Sequence, residues 1–284
     1  MKIKIIADSA SEVSQKTAEQ WGITVIPLKV RFGDEEYLDG KTISNERFYE
    51  KLIETDELPK TSQIPPAEYE DHFRKEIEAG NEVICLTLSS GVSGCYQSAM
   101  LAATEYGDRV HVVDTRQFCL SYYILVEYAV RLRDEGLGVS EILQRLEEKR
   151  NAAVVLSVFD TLEYLKAGGR LSNQAAFFGN VLNIKPVVTI TDGQVDVIGK
   201  ARGSKNGNNL LYRRIESMGG VDFSMPVCFG YTGLSDEMLK KYIRDGKSIY
   251  EGHMEEPNIV TVGATIGTYA GPGAIAVAFF PKGE

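Results

Sequence analysis

The chain has 284 residues, 43% of them apolar, with 31 Lys and Arg against 40 Asp and Glu. That is material for one large core or two ordinary ones, so a soluble globular protein of one or two domains is the expectation. A formal charge of −9 and a pI near 5.1 leave no basic field to gather a phosphate backbone, which argues against nucleic acid as a partner. The opening MKIKIIADSA loses its apolar run at Asp8, and the longest later run, Ala274 to Phe280, has the length of a strand. Neither a signal peptide nor stable membrane insertion is expected. Cys85, Cys95, Cys119 and Cys228 share no CxxC spacing, and three of them sit in or beside apolar segments. They are read as reduced thiols of a cytoplasmic protein.

Strand-like apolar runs alternate with amphipathic stretches, which predicts an α/β fold with a largely parallel sheet. Lys2 to Ala7 reads as the first strand, Ser14 to Trp21 as a short helix, and Ile23 to Phe32 as one extended run. Ser44 caps a helix near 45–54. After the loop PKTSQIPP, Pro66 suits a first helical position, and Tyr69, Phe73 and Ile77 mark one buried stripe that ends at Gly80. Val83 to Leu88 is a short strand running into SSGVSG, Ser93 to Tyr106 a helix starting inside that run, and Val110 to Val113 the next strand. Residues 119–150 read as a charged helical connector broken by Gly136 and Gly138. Ala153 to Val158 then opens a second series. Asp160 with Glu163 forms a capping box for a helix that Gly168 and Gly169 end, directly before Arg170. An apolar helix near Asn173 to Leu182, a hairpin of 187–191 and 195–200 across TDGQ, and a final apolar strand follow. The hairpin predicts a mixed sheet in the second half. Composition and pattern place a boundary near 150, giving an N-terminal domain 1–150 and a C-terminal domain 151–284.

Stock motifs mostly fail. Gly193 to Lys200 resembles a Walker loop but has five residues between its glycines, Ala201 where Ser or Thr would hold magnesium, and a hairpin context. GPGAIA at 271–276 fits GxGxxA, yet a strand follows it in place of a helix. There is no GxSxG elbow, and His72, His111 and His253 lack metal-ligand spacing, so neither a triad nor a metal site is expected. The segment Ser89-Ser90-Gly91-Val92-Ser93-Gly94 remains. Backbone donors at a helix start favour an anion, and glycine permits close approach; taken alone, the segment fits a tight turn capped by Ser93 equally well. Thr61-Ser62-Gln63 is a second hydroxyl-rich loop ahead of a helix, and the GGR run puts Arg170 on a flexible turn.

With these segments in view, the sequence resembles the DegV family, the fatty-acid-binding subunits of bacterial fatty acid kinase, along nearly its whole length. The matching segments are ADSASEV at 7–13, PKTSQ at 59–63, LTLSSGVSGCYQSA at 86–99, VVDT at 112–115, YLKAGGRLS at 164–172, GNVLNIKPV at 179–187, ARG at 201–203 and GPGA at 271–274. The resemblance implies a two-domain α/β protein of the EDD type that holds one long-chain fatty acid as ligand, uses no cofactor and is not itself an enzyme. It further implies that the bound acid is presented to the ATP-binding subunit of a fatty acid kinase for phosphorylation to acyl phosphate. By the same resemblance, Thr61, Ser62, Ser93 and the Gly94 amide hold the carboxyl group, Arg170 lies near it, and Arg202 faces the kinase.

A buried carboxylate needs such donors. Phe177, Phe178, Val181 and Leu182, with Ala175, Ala176 and Ile184, form the segment expected to line the acyl tunnel; ordinary core packing accounts for any one of them equally well. The chain departs from the family pattern at Tyr269, which stands in GTYAGPG where a His is usual, and the ring hydroxyl is read as a head-group donor. GYTG at 230–233 and Cys95 are smaller departures. Two alternatives stay open at this point: an enzyme that binds a phosphorylated small molecule, and a lipid-binding regulatory module without a kinase.

Overall fold

The structure is a computed structural model, and it describes residues 2–55, 57–171 and 184–283. In chain order the strands are β1 Ile3–Asp8, β2 Thr24–Ile26, β3 Lys29–Phe32, β4 Glu35–Leu38, β5 Lys60–Ser62, β6 Glu82–Thr87, β7 Val110–Asp114, β8 Val154–Val158, β9 Ile184–Thr191, β10 Gln194–Arg202, β11 Cys228–Tyr231, β12 Ile259–Thr261 and β13 Ile275–Phe279. The helices are α1 Gln15–Trp21, α2 Asn45–Glu54, α3 Pro66–Glu78, α4 Cys95–Ala103, α5 Cys119–Asp134, α6 Val139–Lys149, α7 Glu163–Ala167, α8 Ser204–Ser217, α9 Glu237–Asp245, α10 Lys247–Tyr250 and α11 Ala264–Ala270.

Three sheets result. β2-β1-β6-β7 is wholly parallel, with Ile5 opposite Ile84 and Val83 opposite Val110. β10-β9-β8-β13-β11-β12 is antiparallel except where β11 meets β12. β4-β3-β5 is a small antiparallel sheet. The expected mixed α/β class, parallel in the first half and mixed in the second, is what the chain adopts.

Helix α5 explains how the sheets meet. Its first turns read LSYYILV, and every residue from Leu120 to Val126 is buried. A helix that is apolar all round must be covered on all sides, and α5 packs on β1 of the first sheet and on β8, β11 and β13 of the second. The expected connector is therefore the central core helix, and the charged residues that suggested a linker lie in its second half, in and around α6 and between the two.

Other local expectations shift for identifiable reasons. The run from Ile23 to Phe32 is broken at Pro27, so β2 and β3 serve different sheets. Residues Lys60–Ser62 are a strand, not a loop, because β3 offers them a free edge. Helix α4 starts at Cys95 and ends at Ala103. The Asp160/Glu163 capping box does not form: α7 begins at Glu163 behind Leu162, while the Asp160 carboxylate pairs with Lys185. The cysteines are unpaired, as expected. Among the described residues no helix is long and apolar enough to cross a membrane.

The first turn of α11 lies against α2. The Tyr49 hydroxyl donates to the Val262 carbonyl at 2.9 Å, and a Cβ on Gly267 would stand 2.6 Å from Phe48 Cε1 and 2.7 Å from Tyr49 Oη. Gly267→Ala is expected to lower stability by about 1–3 kcal/mol through overpacking, read as a drop in the denaturant midpoint at constant m. An unchanged midpoint would show that the two helices do not close to this distance.

Candidate functional site

The hydroxyl-rich segments converge from separate elements. Thr61 and Ser62 sit on β5, where the ladder sets Thr61 opposite Val30 and Ser62 opposite Lys29. Ser93 and Gly94 end the loop between β6 and α4. That loop is anchored along its length: Leu88 N donates to Asp8 Oδ2 at 2.9 Å, Ser89 N to the Gln117 carbonyl at 2.9 Å, and Ser93 N to the Ser89 carbonyl at 3.2 Å. Ser90 donates to Asp114 through its amide at 3.1 Å and its hydroxyl at 2.5 Å. The β9–β10 hairpin closes over the loop, with Ser89 Oγ donating to the Gly193 carbonyl at 2.7 Å. A Cβ on Gly91 would come within 2.7 Å of that same carbonyl oxygen, so only glycine lets the hairpin seat.

Tyr269, on α11, reaches the site from the other side, its hydroxyl 2.6 Å from Thr61 Oγ1. The GGR run wraps the same ring. Gly168 lies so close that a side chain there would collide with Tyr269, Gly169 takes a left-handed φ of 68°, and the Arg170 guanidinium carbon stands 4.9 Å from the ring centroid. Arg170 itself is exposed and donates to the Gly168 carbonyl at 2.7 Å.

These groups stand along a cavity of about 280 Å³ bounded by β5, by strands of the mixed sheet, by α11 and by the loop after β6, near the lower edge of the size range for small-molecule pockets. Thr61, Ser62, Gln63, Ser93, Gly94, Arg170 and Tyr269 line it together. The remaining wall is mainly apolar and includes Leu88, Phe118, Phe159, Leu165, Val188 and Ile275. Several hydroxyls along that wall are already occupied by backbone. Ser157 Oγ donates to the Ile275 carbonyl at 2.7 Å, Thr189 Oγ1 donates to the Val155 carbonyl at 2.7 Å, and Thr232 Oγ1 accepts from Ala274 N at 2.7 Å.

Donors at the hydroxyl end are less committed. Thr61 and Tyr269 use one of their two hydroxyl protons on each other, leaving one for a ligand, and Ser93 Oγ accepts from Cys95 N at 3.3 Å while keeping its own proton. Among the described lining residues there is no carboxylate, and Arg170 is the one cation. The arrangement is amphiphilic: an apolar interior with an end that favours an anion.

Arg202 is elsewhere. It is exposed at the end of β10, opposite Ile184, and does not line the cavity. Phe177, Phe178, Val181 and Leu182 lie outside the described residues. The apolar wall was missed by sequence reasoning, although alternation along the β8 run, with Val155, Ser157 and Phe159 two residues apart, carries the signal for its face.

Beneath the loop, Asp8 is fully buried and accepts from Leu88 N and from Ala10 N at 3.1 Å. Burial pushes its pKa up to about 7 against those hydrogen bonds, with the Asp39 charge adding to the rise. In the unfolded chain Asp8 loses its proton near 3.8, so between about 3.8 and 7 the folded state holds a proton the unfolded chain has released. Stability from this group is therefore present below that window and falls as pH rises through it. Burial lowers the pKa of His72, which tilts the profile the other way near neutrality. The Asp8 contribution is accordingly read as a difference: unfolding free energy should decline more between pH 5 and pH 8 for wild type than for Asp8→Asn. Equal declines would show that Asp8 keeps an ordinary pKa in the folded protein.

The fold and cavity define a mixed α/β protein with one parallel and one mixed sheet and an amphiphilic pocket between its chain segments. The chain belongs to the DegV family: the model for uncharacterised proteins of that family matches residues 2–282. It is similar to a DegV domain-containing protein of Caldanaerobacter subterraneus, 33% identical over 99% of both chains. Among solved structures it resembles a DegV family protein of Thermus thermophilus described for fatty acid binding, at 31% identity and a TM-score of 0.89 over 99% of this chain and 100% of that one. It also resembles a stearic-acid-binding protein of Eubacterium ventriosum, at 26% identity and a TM-score of 0.87 over 99% of each.

Proposed function

We propose that this protein binds one long-chain fatty acid, its carboxylate at Thr61, Ser62, Ser93, the Gly94 amide, Tyr269 and Arg170 and its chain in the apolar cavity. The observation that carries the reading is the contrast along one pocket. The Ser157, Thr189 and Thr232 hydroxyls in the interior face backbone partners, while those of Thr61, Tyr269 and Ser93 keep protons to donate. Burying about 15 methylenes at about 0.8 kcal/mol each is worth on the order of 12 kcal/mol before ordering costs, so affinity comes from the tail and the polar end sets orientation. Fatty acid binding by the similar proteins supports the same ligand class.

The proposal includes a role as carrier, not catalyst. A kinase subunit transfers the γ-phosphoryl group of ATP to the presented carboxylate oxygen, giving acyl phosphate and ADP. Exposed Arg202 on β10 suits a docking surface for that kinase. Residues 172–183 are proposed to complete the acyl tunnel through Phe177, Phe178, Val181 and Leu182.

Denaturing extraction of the purified protein followed by mass spectrometry should release a near-stoichiometric C14 to C18 acid. A Thr61→Ala, Ser93→Ala double variant should retain at least tenfold less, since each lost charge-assisted hydrogen bond is worth about 1.5–3 kcal/mol. Added to a fatty acid kinase subunit, the loaded protein should give acid-dependent ATP turnover. An empty extract, together with no uptake of added acids, would refute fatty acid binding and turn attention to phosphorylated metabolites. Binding without turnover would refute the carrier role alone.

A further inference from the structure

The segment Asp8–Glu12 contributes nothing to the cavity wall, yet it touches both structures that carry the head-group donors. Asp8, Glu12 and Asp39 are 0%, 8% and 3% exposed. The side-chain contacts recorded for these carboxylates are to backbone amides and hydroxyls. Asp8 Oδ2 receives Leu88 N, the first residue of the loop that ends at Ser93 and Gly94. Glu12 Oε2 receives Gly263 N at 2.5 Å, Asp39 Oδ1 receives Ala264 N at 2.9 Å, and Asp39 Oδ2 receives Thr265 N at 3.1 Å. Those three amides open α11, which presents Thr265, Ile266 and Tyr269 to the cavity. Ser9 Oγ ties the two acids' segments together by donating to Asp39 Oδ2 at 3.0 Å.

The arrangement is held under strain. Glu12 takes a left-handed φ of 62°, unusual for a residue with a Cβ, and its Oε1 is buried with no hydrogen-bond partner among the described residues. A long acidic side chain kept in that conformation beside two other buried acids is costly in isolation. It is retained where the surrounding structure fixes it, here between the first sheet and the start of α11.

We propose that Asp8, Glu12 and Asp39 are positioning residues of the head-group site: a buried acidic clamp that fixes Tyr269 against Thr61 and the Ser93–Gly94 loop. The inference rests on the fatty acid reading above. Asp8 sets one wall through Leu88, and Glu12 with Asp39 sets the other through α11. None of the three lines the cavity, so their effect on binding passes through Tyr269 and its neighbours.

A double-mutant cycle with cis-parinaric acid, a fluorescent C18 acid, tests this on the full chain. Asp39→Asn puts an amide NH₂ where one of the α11 amides or Ser9 needs an acceptor, and it should weaken binding about tenfold; Tyr269→Phe should do the same. Because Asp39 acts through Tyr269, the combined variant should bind no more than about threefold more weakly than Tyr269→Phe alone. Unfolding free energies of the same variants should nevertheless show Asp39→Asn lowering stability in both backgrounds. Should Asp39→Asn fail to fold, Glu12→Gln is carried through the same cycle with the same expected non-additivity. Multiplying losses, near a hundredfold in the double variant, would overturn the clamp while leaving fatty acid binding intact. A wild-type protein that binds none of the acid would overturn both.

Discussion

Helix α5 is buried on every side over its first two turns, and this single requirement organises the molecule. A helix with no solvent face needs a sheet on each flank, and the chain supplies the parallel sheet on one side and the mixed sheet on the other. The pocket lies against the mixed sheet, between its β8, β9, β11 and β13 strands, the loop after β6, α11 and β5 of the small sheet. That junction is also where chain segments far apart in sequence have to be held in register. The chain does so with hydrogen bonds across it: Ser89 to the β9–β10 hairpin, Tyr49 to Val262, and Glu12 and Asp39 to the start of α11.

Chemical selectivity in the pocket follows from where hydroxyl protons go. Ser157, Thr189 and Thr232 along the interior are polar by type, but backbone groups engage their hydroxyls, so the surface they leave for a ligand is mainly apolar. At the other end Thr61, Ser93 and Tyr269 have more donors than internal acceptors, with Arg170 stacked on Tyr269. The same residue types thus give opposite surfaces, depending on whether a carbonyl lies within reach. Tyr269 gains its place from the glycine pair ahead of Arg170: one glycine makes room for the ring, and the other turns the chain so that the guanidinium covers it.

Much of this could be read in the sequence, and the failures have physical causes. Apolar runs at Ile3–Asp8, Glu82–Thr87 and Ile275–Phe279 identify core strands because β-strand burial leaves a local signature. The hydroxyl-rich loops at 61–63 and 89–94 and the GGR run stood out in the sequence, and the structure brings them together with Tyr269 around one cavity. Family resemblance, rather than spacing, singled out Tyr269. The apolar wall was harder, since Leu88, Phe118, Phe159 and Ile275 come from four separated segments and share only their position in space. The role of Asp8, Glu12 and Asp39 was invisible for the same reason: their partners are 80, 251 and 225 residues away in sequence for Leu88, Gly263 and Ala264. The Asp160/Glu163 pair misled because a capping box is a local pattern, whereas Lys185 recruits Asp160 from another strand.

The central claim is that a fatty acid lies with its carboxylate among Thr61, Ser93, Tyr269 and Arg170. The most direct measurement is ¹³C NMR of palmitate labelled at the carboxyl carbon, bound to the protein and followed with pH. Held by hydroxyl donors and one cation, the bound carboxyl should give a resonance distinct from that of the free acid. It should also resist protonation below the ordinary carboxyl range of about 4, and should move when Thr61 or Ser93 is replaced by Ala. A bound acid whose carboxyl carbon titrates like the free acid and ignores both substitutions would place the head group in solvent and contradict the account.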